Sequence, residues 1–323
     1  MISGRLFAEE SEGLAVSTAP SSGTRGLVHG PGVCEPSTMT GDSDDSAGKG
    51  ERIAKRIARA GLCSRREAER WIAAGRVAVD GRVLDTPAFA VLPHHRIVVD
   101  GQPLKASAPP ALWRYHKPAG LVTTNRDPQG RPTVFDRLPP DLPRVMTVGR
   151  LDLTTEGLLL LTNDGDLARF LELPSTGWTR RYRVRVKGRP DEAALARLAD
   201  GVTVDGVRYG PVQARLDRQP ERSGGANAWL TMSIREGKNR EIRKLCAHLG
   251  LTANRLIRTA YGPFQLGKLA SGAVERIPER VLRQQLPHWP GFAGGGDRSG
   301  PAGRSQQQPK GKSAGNAHRR RKP

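Results

Sequence analysis

Four consecutive leucines, Leu158 to Leu161, stand between polar segments that each carry glycine, in a stretch that reads Val-Gly-Arg-Leu-Asp-Leu-Thr-Thr-Glu-Gly-Leu-Leu-Leu-Leu-Thr-Asn-Asp-Gly-Asp from Val148 to Asp166. A short unbroken apolar run bounded by turn signals belongs inside, as a buried strand or a short buried helical segment. A charged loop, Gly149 to Gly157, leads straight into it. Arg150 and Asp152 lie two residues apart in that loop, between glycines that let the backbone bend sharply. One carboxylate and one guanidinium are thus carried on rigid structure. By itself this proves no chemistry, because an Asp in a turn commonly bonds its own backbone.

The rest of the chain supplies context. Its 323 residues have room for about two domains plus tails. With 37% hydrophobic residues and a mean hydropathy of −0.51, part of the length is expected outside any packed core. No apolar run is long enough to span a bilayer, and the N-terminus lacks the basic-then-apolar pattern of a secretory signal. Cys34, Cys63 and Cys246 are odd in number and far apart. They point to a reducing cytoplasm, with neither a disulfide framework nor a metal site. The net charge of +20 is unevenly spread. Residues 1–50 hold three Lys/Arg against seven Asp/Glu, and residues 298–323 hold eight Lys/Arg and no acid, which leaves +16 for the body between. A basic folded body points to a polyanion, since neutralising phosphates releases counterions. With no basic amphipathic helix evident, nucleic acid is favoured over a membrane surface.

Residues 1–50 read as a disordered tail, in which Met39 is a second candidate start, and residues 288–323 as a basic disordered tail. A first helix follows Glu51, with Ile53, Ala54, Ile57 and Ala58 on one face, and ends at Gly61. Ser64-Arg65-Arg66-Glu67 is a capping-box pattern opening a second helix, which Gly75 stops. Val77 to Val83 reads as a hairpin turning on Asp80-Gly81, and Ile97 to Val99 as a further strand. This unit, residues 51–106, carries eleven Lys/Arg against six Asp/Glu. Arg52 to Glu69 followed by Gly75 to Gly81 resembles the RNA-binding domain first seen in a small-subunit ribosomal protein, the S-four type. The resemblance implies that Ser64, Arg65, Arg66 and Arg59 meet the RNA backbone.

A short Pro/Ala linker, residues 105–111, leads flexibly into a second unit, 107–287. Leu112 onward reads as a strand ending in a Pro/Gly turn, and Asn125 to Pro132 as a polar loop able to contact RNA. Arg180 to Lys187 alternates, with Tyr182, Val184 and Val186 on one side and cations on the other. Ile242, Leu245, Cys246 and Leu249 have helical core spacing, with Asn239 as N-cap and Gly250 as stop. The Gly-Lys-Asn-Arg turn before that helix offers amides and cations to an anion. Pro278 to Leu286 is expected as a last helix with Pro in its first turn.

Alone, Tyr182 suits a half-buried strand and Arg243 a solvated helix face. Gly149–Gly165, Arg181-Tyr182 and Glu236–Arg243, taken together and in order, resemble the active-site motifs of the pseudouridine synthases. The family is the one typified by the small-subunit ribosomal RNA enzyme A and the large-subunit enzymes B, E and F. The Gly-Lys-Asn-Arg-Glu-Ile-Arg-Lys-Leu segment and the basic tail are most similar to the B type. The resemblance implies that Asp152 is the nucleophile, that Arg243 pairs with it, and that Tyr182 stacks on the target base. It places Arg150, Arg180, Lys238, Asn239, Arg240 and Lys244 toward RNA, Arg150 also bracing the loop. Thr154 stands where the family commonly has an acid, and Arg180 where Lys is frequent. The implied fold is α+β: a small α/β RNA-binding domain, then a catalytic domain with a mainly antiparallel mixed sheet and a central cleft. The implied reaction converts a ribosomal RNA uridine to pseudouridine with base flipping and without cofactor or metal. The implied setting is a cytoplasmic monomer acting on ribosomal RNA or a subunit assembly intermediate. Two alternatives stay open: a small-subunit substrate, or a non-catalytic RNA-binding ribosome-assembly factor.

Deleting residues 298–323 removes eight cations and should flatten the salt dependence of RNA binding, by roughly 0.7–0.9 in slope for each phosphate that is no longer neutralised. Anisotropy titrations at several salt concentrations measure this; an unchanged slope would mean the tail is not engaged.

Overall fold

A computed structural model of the protein describes residues 50–218 and 227–292. The expectations for the acidic N-terminal segment, Gly50 apart, and for the tail from residue 293 onward lie outside the described residues.

The first part contains β1 (Glu51–Arg52), α1 (Ile53–Arg59), α2 (Arg65–Ala73), β2 (Val77–Val79), β3 (Arg82–Val83), β4 (Ala90–Val91), β5 (Ile97–Val99) and β6 (Gln102–Pro103). The order β3-β2-β5-β6 forms a small antiparallel sheet, and β1 pairs with β4. Ile53, Ile57, Ala68, Ile72, Val77 and Val99 close its core. Ser64 caps α2, its Oγ accepting the Glu67 N–H at 3.1 Å. The reciprocal half of the capping box does not form, because the Glu67 carboxylate accepts from Trp71 Nε1 at 3.1 Å instead. Asp80 and Gly81 both have positive φ, 50° and 84°, as a tight hairpin turn requires.

The second part contains β7 (Leu112–Lys117), β8 (Met146–Val148), β9 (Thr155–Thr162), α3 (Gly165–Glu172), β10 (Arg180–Lys187), α4 (Glu192–Arg197), β11 (Val202–Val204), β12 (Val207–Tyr209), β13 (Gln213–Arg218), β14 (Asn227–Ile234), α5 (Glu241–His248), β15 (Thr252–Tyr261), β16 (Phe264–Gln265), β17 (Val274–Arg276) and α6 (Glu279–Gln285). The main sheet runs β13-β14-β10-β15-β9-β7-β17, with β16 beside β15 and β8 beside β9. The β15–β9 pair is parallel and the other pairs are antiparallel, so the sheet is mixed and mainly antiparallel.

The leucine run resolves to a strand. Leu159 and Leu161 join Tyr115, Val184, Leu230 and Leu245 in one core, while Leu158 and Leu160 join Leu167, Leu171, Tyr261 and Leu282 in the other. Covered on both faces, β9 has no polar side to present, which is why its sequence does not alternate. The strand β10 has one face covered. Tyr182, Val184 and Val186 point inward, and Arg181, Arg183, Arg185 and Lys187 are exposed.

Four expectations change. Thr155, Glu156 and Gly157 belong to β9, so the charged loop ends at Thr154. Asn239 is not the N-cap of α5. That position falls to Arg240, in left-handed conformation, because Glu241 Oε2 accepts the Lys238 N–H at 2.9 Å and tightens the turn by one residue. The catalytic unit does not stop at 287: Trp289 is 4% exposed in the second core and stacks edge-on against Phe292 at 4.7 Å. Finally, the linker is not the only join between the two parts. Its end is tied down by Asn163, which accepts the Ala111 N–H at 2.8 Å, and Lys55 and Arg59 of α1 form ion pairs with Asp166 of α3.

Gly157 has φ +102° and an added Cβ would overlap the Arg258 backbone across the parallel pair. Gly157→Ala should therefore destabilise the protein by about 2 kcal/mol or more, strain at such a φ alone costing about 1–3 kcal/mol. Chemical denaturation reads this directly, and an unchanged midpoint would contradict the packing described.

Candidate active site

Loop 149–154 joins β8 to β9 and is held from beneath and from both sides. The strand β7 alternates Trp113, Tyr115, Lys117 toward the interior, so a lysine ends in a buried position with no side-chain exposure. Its ammonium donates to the backbone carbonyls of Pro118 (3.0 Å), Asp152 (3.2 Å) and Thr155 (2.9 Å). Burial pushes Lys117 down to about 8, opposed by the carboxylates of Asp152 and Glu156. Thr123 Oγ1 donates to Leu151 O at 2.8 Å, and Gly120 N–H to Leu153 O at 2.8 Å. From α5, Arg243 donates to Thr154 Oγ1 (2.9 Å) and Thr154 O (3.2 Å), and through its other terminal nitrogen to Ala253 O (2.9 Å). With its backbone so constrained, the loop presents the Asp152 carboxylate into a cleft, the side chain 34% exposed.

The cleft has a volume of about 810 Å³. Tyr182, 8% exposed, reaches it from β10, and Arg150, Arg180, Lys238, Asn239 and Arg240 also line it. The Asn125–Pro132 loop forms one wall through Arg126, Asp127, Pro128 and Arg131. That wall is stiffened by a two-point Arg131–Asp127 contact, which holds Asp127 down to about 2.

Asp152, Tyr182 and five of the cationic or polar residues expected around them therefore share one cavity. Other expectations are corrected. Within ion-pair distance Asp152 meets Arg240 Nη1, at 4.0 Å, and not Arg243. The terminal nitrogens of Arg243 are taken by Thr154 of the loop and Ala253 O of β15, and burial followed by repulsion from Arg240 lowers its pKa. Arg150 does not brace the loop: it is exposed and forms no ion pair or side-chain hydrogen bond among the described residues. Arg180 is partly a structural residue, donating to Arg235 O at 2.8 Å and lying over the Tyr261 ring at 4.9 Å. Lys244 is half-buried on α5 and does not line the cleft. In the first part Arg65 and Arg66 are exposed, whereas Arg59 is engaged with Asp166, Asp164 and Glu51 and so is not free for RNA.

Three residues of the site were not singled out from sequence. Lys117 carried a signal, a lysine in phase with the inward positions of an alternating strand. Arg258 is 2% exposed, donates to Leu158 O at 2.7 Å and faces the Tyr261 ring; its cation falls at an inward position of β15. Glu241 is 3% exposed at the start of α5, where a first-turn acid reads as ordinary capping. Among the described residues no group of three or more His, Cys, Asp or Glu is placed to hold a metal ion. The site joins one oriented carboxylate, one phenol at the cavity wall and a cationic rim, and so suits an anionic polymer that inserts a planar group.

Lys117→Met should cost about 2 kcal/mol or more, because each buried carbonyl left without a donor costs about 1–3 kcal/mol. It should also speed tryptic cleavage after Arg150. Unaltered stability with an equally protected loop would refute the role given to Lys117.

A family model described as RNA pseudouridylate synthase matches residues 111–248, and an S4 domain model matches residues 51–97. An uncharacterized RNA pseudouridine synthase of Rickettsia prowazekii is 43% identical over 235 residues, covering 73% of this chain and 97% of that protein. A ribosomal large subunit pseudouridine synthase B of Pseudomonas aeruginosa is 41% identical over 239 residues, covering 72% of this chain and 61% of the relative. The same-named protein of Salmonella typhi is 43% identical over 224 residues, 68% and 76% of the two chains. A crystal structure of a pseudouridylate synthase shares the fold, with a TM-score of 0.50 at 24% identity over 73% of this chain and 99% of that one. Identity at this level across nearly the full length of a relative, on this sheet and around this cleft, shows that the chain belongs to the RNA pseudouridine synthase family, isomerases acting on RNA, with an S4 domain ahead of the catalytic fold.

Proposed function

We propose that the protein converts one uridine of large-subunit ribosomal RNA to pseudouridine, with Asp152 as nucleophile. The observation that carries this reading is the placement of the Asp152 carboxylate, on a braced loop, in the same cleft as Tyr182 and a cationic rim. Isomerisation breaks the N1–C1′ bond, forms C5–C1′, and moves a proton from C5 to N1. It is redox-neutral and needs no co-reactant. The target uridine leaves its stack and enters the cleft, where Tyr182 supports the base by stacking and its hydroxyl relays the proton, taking that of C5 as it releases its own toward N1. Arg240, at 4.0 Å from the Asp152 carboxylate, orients it toward the entering nucleotide. Arg243 acts one step back, on the Thr154 backbone. Arg150 and Asn239 on the rim meet the flanking RNA, as do Ser64, Arg65 and Arg66 on the S4 domain, whereas the Lys238 ammonium is held by Glu236 and Arg208 O. The working units are residues 51–106 and a catalytic unit from 107 to at least 292.

The large-subunit assignment rests on relatives at 41–43% identity whose names carry that substrate. The protein works as a monomer in the cytoplasm during ribosome assembly. No helix among the described residues is long and apolar enough to cross a membrane.

Asp152→Asn should abolish tritium release from ribosomal RNA labelled at uridine C5 while RNA affinity stays within a few-fold. Undiminished release would remove Asp152 from the mechanism, and a pseudouridine lost from small-subunit RNA in a deletion strain would overturn the choice of subunit.

A further inference from the structure

The catalytic reading leaves a buried acid unexplained. Glu241 opens α5 and is 3% exposed. Its Oε2 accepts the Lys238 N–H at 2.9 Å. Its Oε1 is buried without a hydrogen-bond partner, and the Glu236 carboxylate, which shares Lys238 with it, is the neighbouring charge that acts on it. Glu236 is itself pinned: Oε1 accepts the Gly210 N–H at 2.7 Å and Oε2 the Lys238 ammonium at 2.6 Å. Lys238 also donates to Arg208 O at 2.6 Å. The turn from Gly237 to Arg240 is therefore closed at both ends and tied to β12.

Its product is a strained residue. Arg240 has φ 51° and ψ 31°, a conformation that costs a non-glycine residue about 1–3 kcal/mol and persists only where the surroundings impose it. That conformation brings Arg240 to 4.0 Å from Asp152.

We infer that Glu241 is a positioning residue for the reaction: sharing one proton with Glu236, it clasps the Gly237–Arg240 turn and so aims Arg240 at Asp152. Two ionised carboxylates facing one another in an enclosed site repel, so one proton must serve both. Burial, and then the Glu236 charge, push Glu241 up to about 7 against the opposing Lys238 N–H. Glu236, although burial opposes it, is held low by Lys238 and the Gly210 N–H. The surrounding charges are Lys238 and Arg240 on the turn, Arg243 and Lys244 on α5, Arg208 on β12, Arg180 on β10, and Asp152 across the cleft. The cations favour ionisation of the pair and Asp152 opposes it. The clasp therefore holds below about 7 and opens as pH rises through that value. This inference rests on Asp152 being the nucleophile.

The test uses the full chain and C5-tritiated ribosomal RNA, with kcat and KM measured from about pH 6 to about pH 9. Wild type should lose kcat as pH rises through about 7. Glu241→Ala should lower kcat at least about tenfold with KM within about threefold. Glu241→Gln, a neutral isostere that still donates, should recover most of that loss and remove the alkaline fall. A second readout is independent of catalysis. A carboxyl whose folded pKa is raised contributes stability that is complete below its unfolded value and lost as pH rises through about 7. The Tm of Glu241→Gln relative to wild type should therefore climb over that interval. An alkaline fall unchanged in Glu241→Gln, or a Tm difference independent of pH, would overturn the clasp. Tritium release by Asp152→Asn would instead overturn the nucleophile assignment, and the thermal comparison would still decide whether the carboxyl pair shares a proton.

Discussion

Everything in the catalytic unit hangs on a strand that is buried on both faces. Leu158 and Leu160 face one core and Leu159 and Leu161 the other, while β7 takes one edge and β15, then β8, the other. Such a strand cannot slip by one residue to relieve strain, because both faces are already packed. The segment entering it inherits that rigidity. Loop 149–154 is where the chain passes from buried sheet to open cleft, and Asp152 sits at that passage.

Rigidity below is matched by a division of labour among cations. Lys117 holds the loop from inside through backbone carbonyls, Arg243 straps it from the helix side through Thr154, and Arg240 alone comes to the carboxylate. A buried ammonium without acceptors would be costly, and three carbonyls converging on Lys117 make it tolerable. Acidic groups are arranged around the opposite need: Glu236 and Glu241 shape the turn behind Arg240, leaving Asp152 to face the cavity. The cleft thus keeps a largely cationic rim around the partly exposed carboxylate of Asp152.

Local features of this site were legible in the residues. The alternation of β10 put Tyr182 on the covered face, the Ser64 cap opened α2, the Asp-Gly pairs made hairpins, and the leucine run was interior. The family motifs brought Asp152, Tyr182 and the Glu236–Arg243 segment together as a set. Other features were not. The phase of Lys117 hinted that it turns inward, but nothing local says which backbone carbonyls await it. Arg59 looked free for RNA, because Asp166 is far away in sequence and adjacent only after folding. Trp289 was hidden in a Gly/Pro-rich context that resembles the tail beyond it.

The sequence by itself determined most element types, the polyanionic class of partner and the motifs that carry the candidate site residues, because periodicity, capping and motif order are short-range properties of the chain. Only the tertiary structure decided which cation serves the aspartate. A one-residue shift in the start of α5, imposed by Glu241 bonding Lys238, put Arg240 into a left-handed turn beside Asp152 and sent Arg243 to the loop backbone. That local contact is anchored in turn by groups distant in the chain, the Gly210 N–H on Glu236 and the Arg208 carbonyl on Lys238.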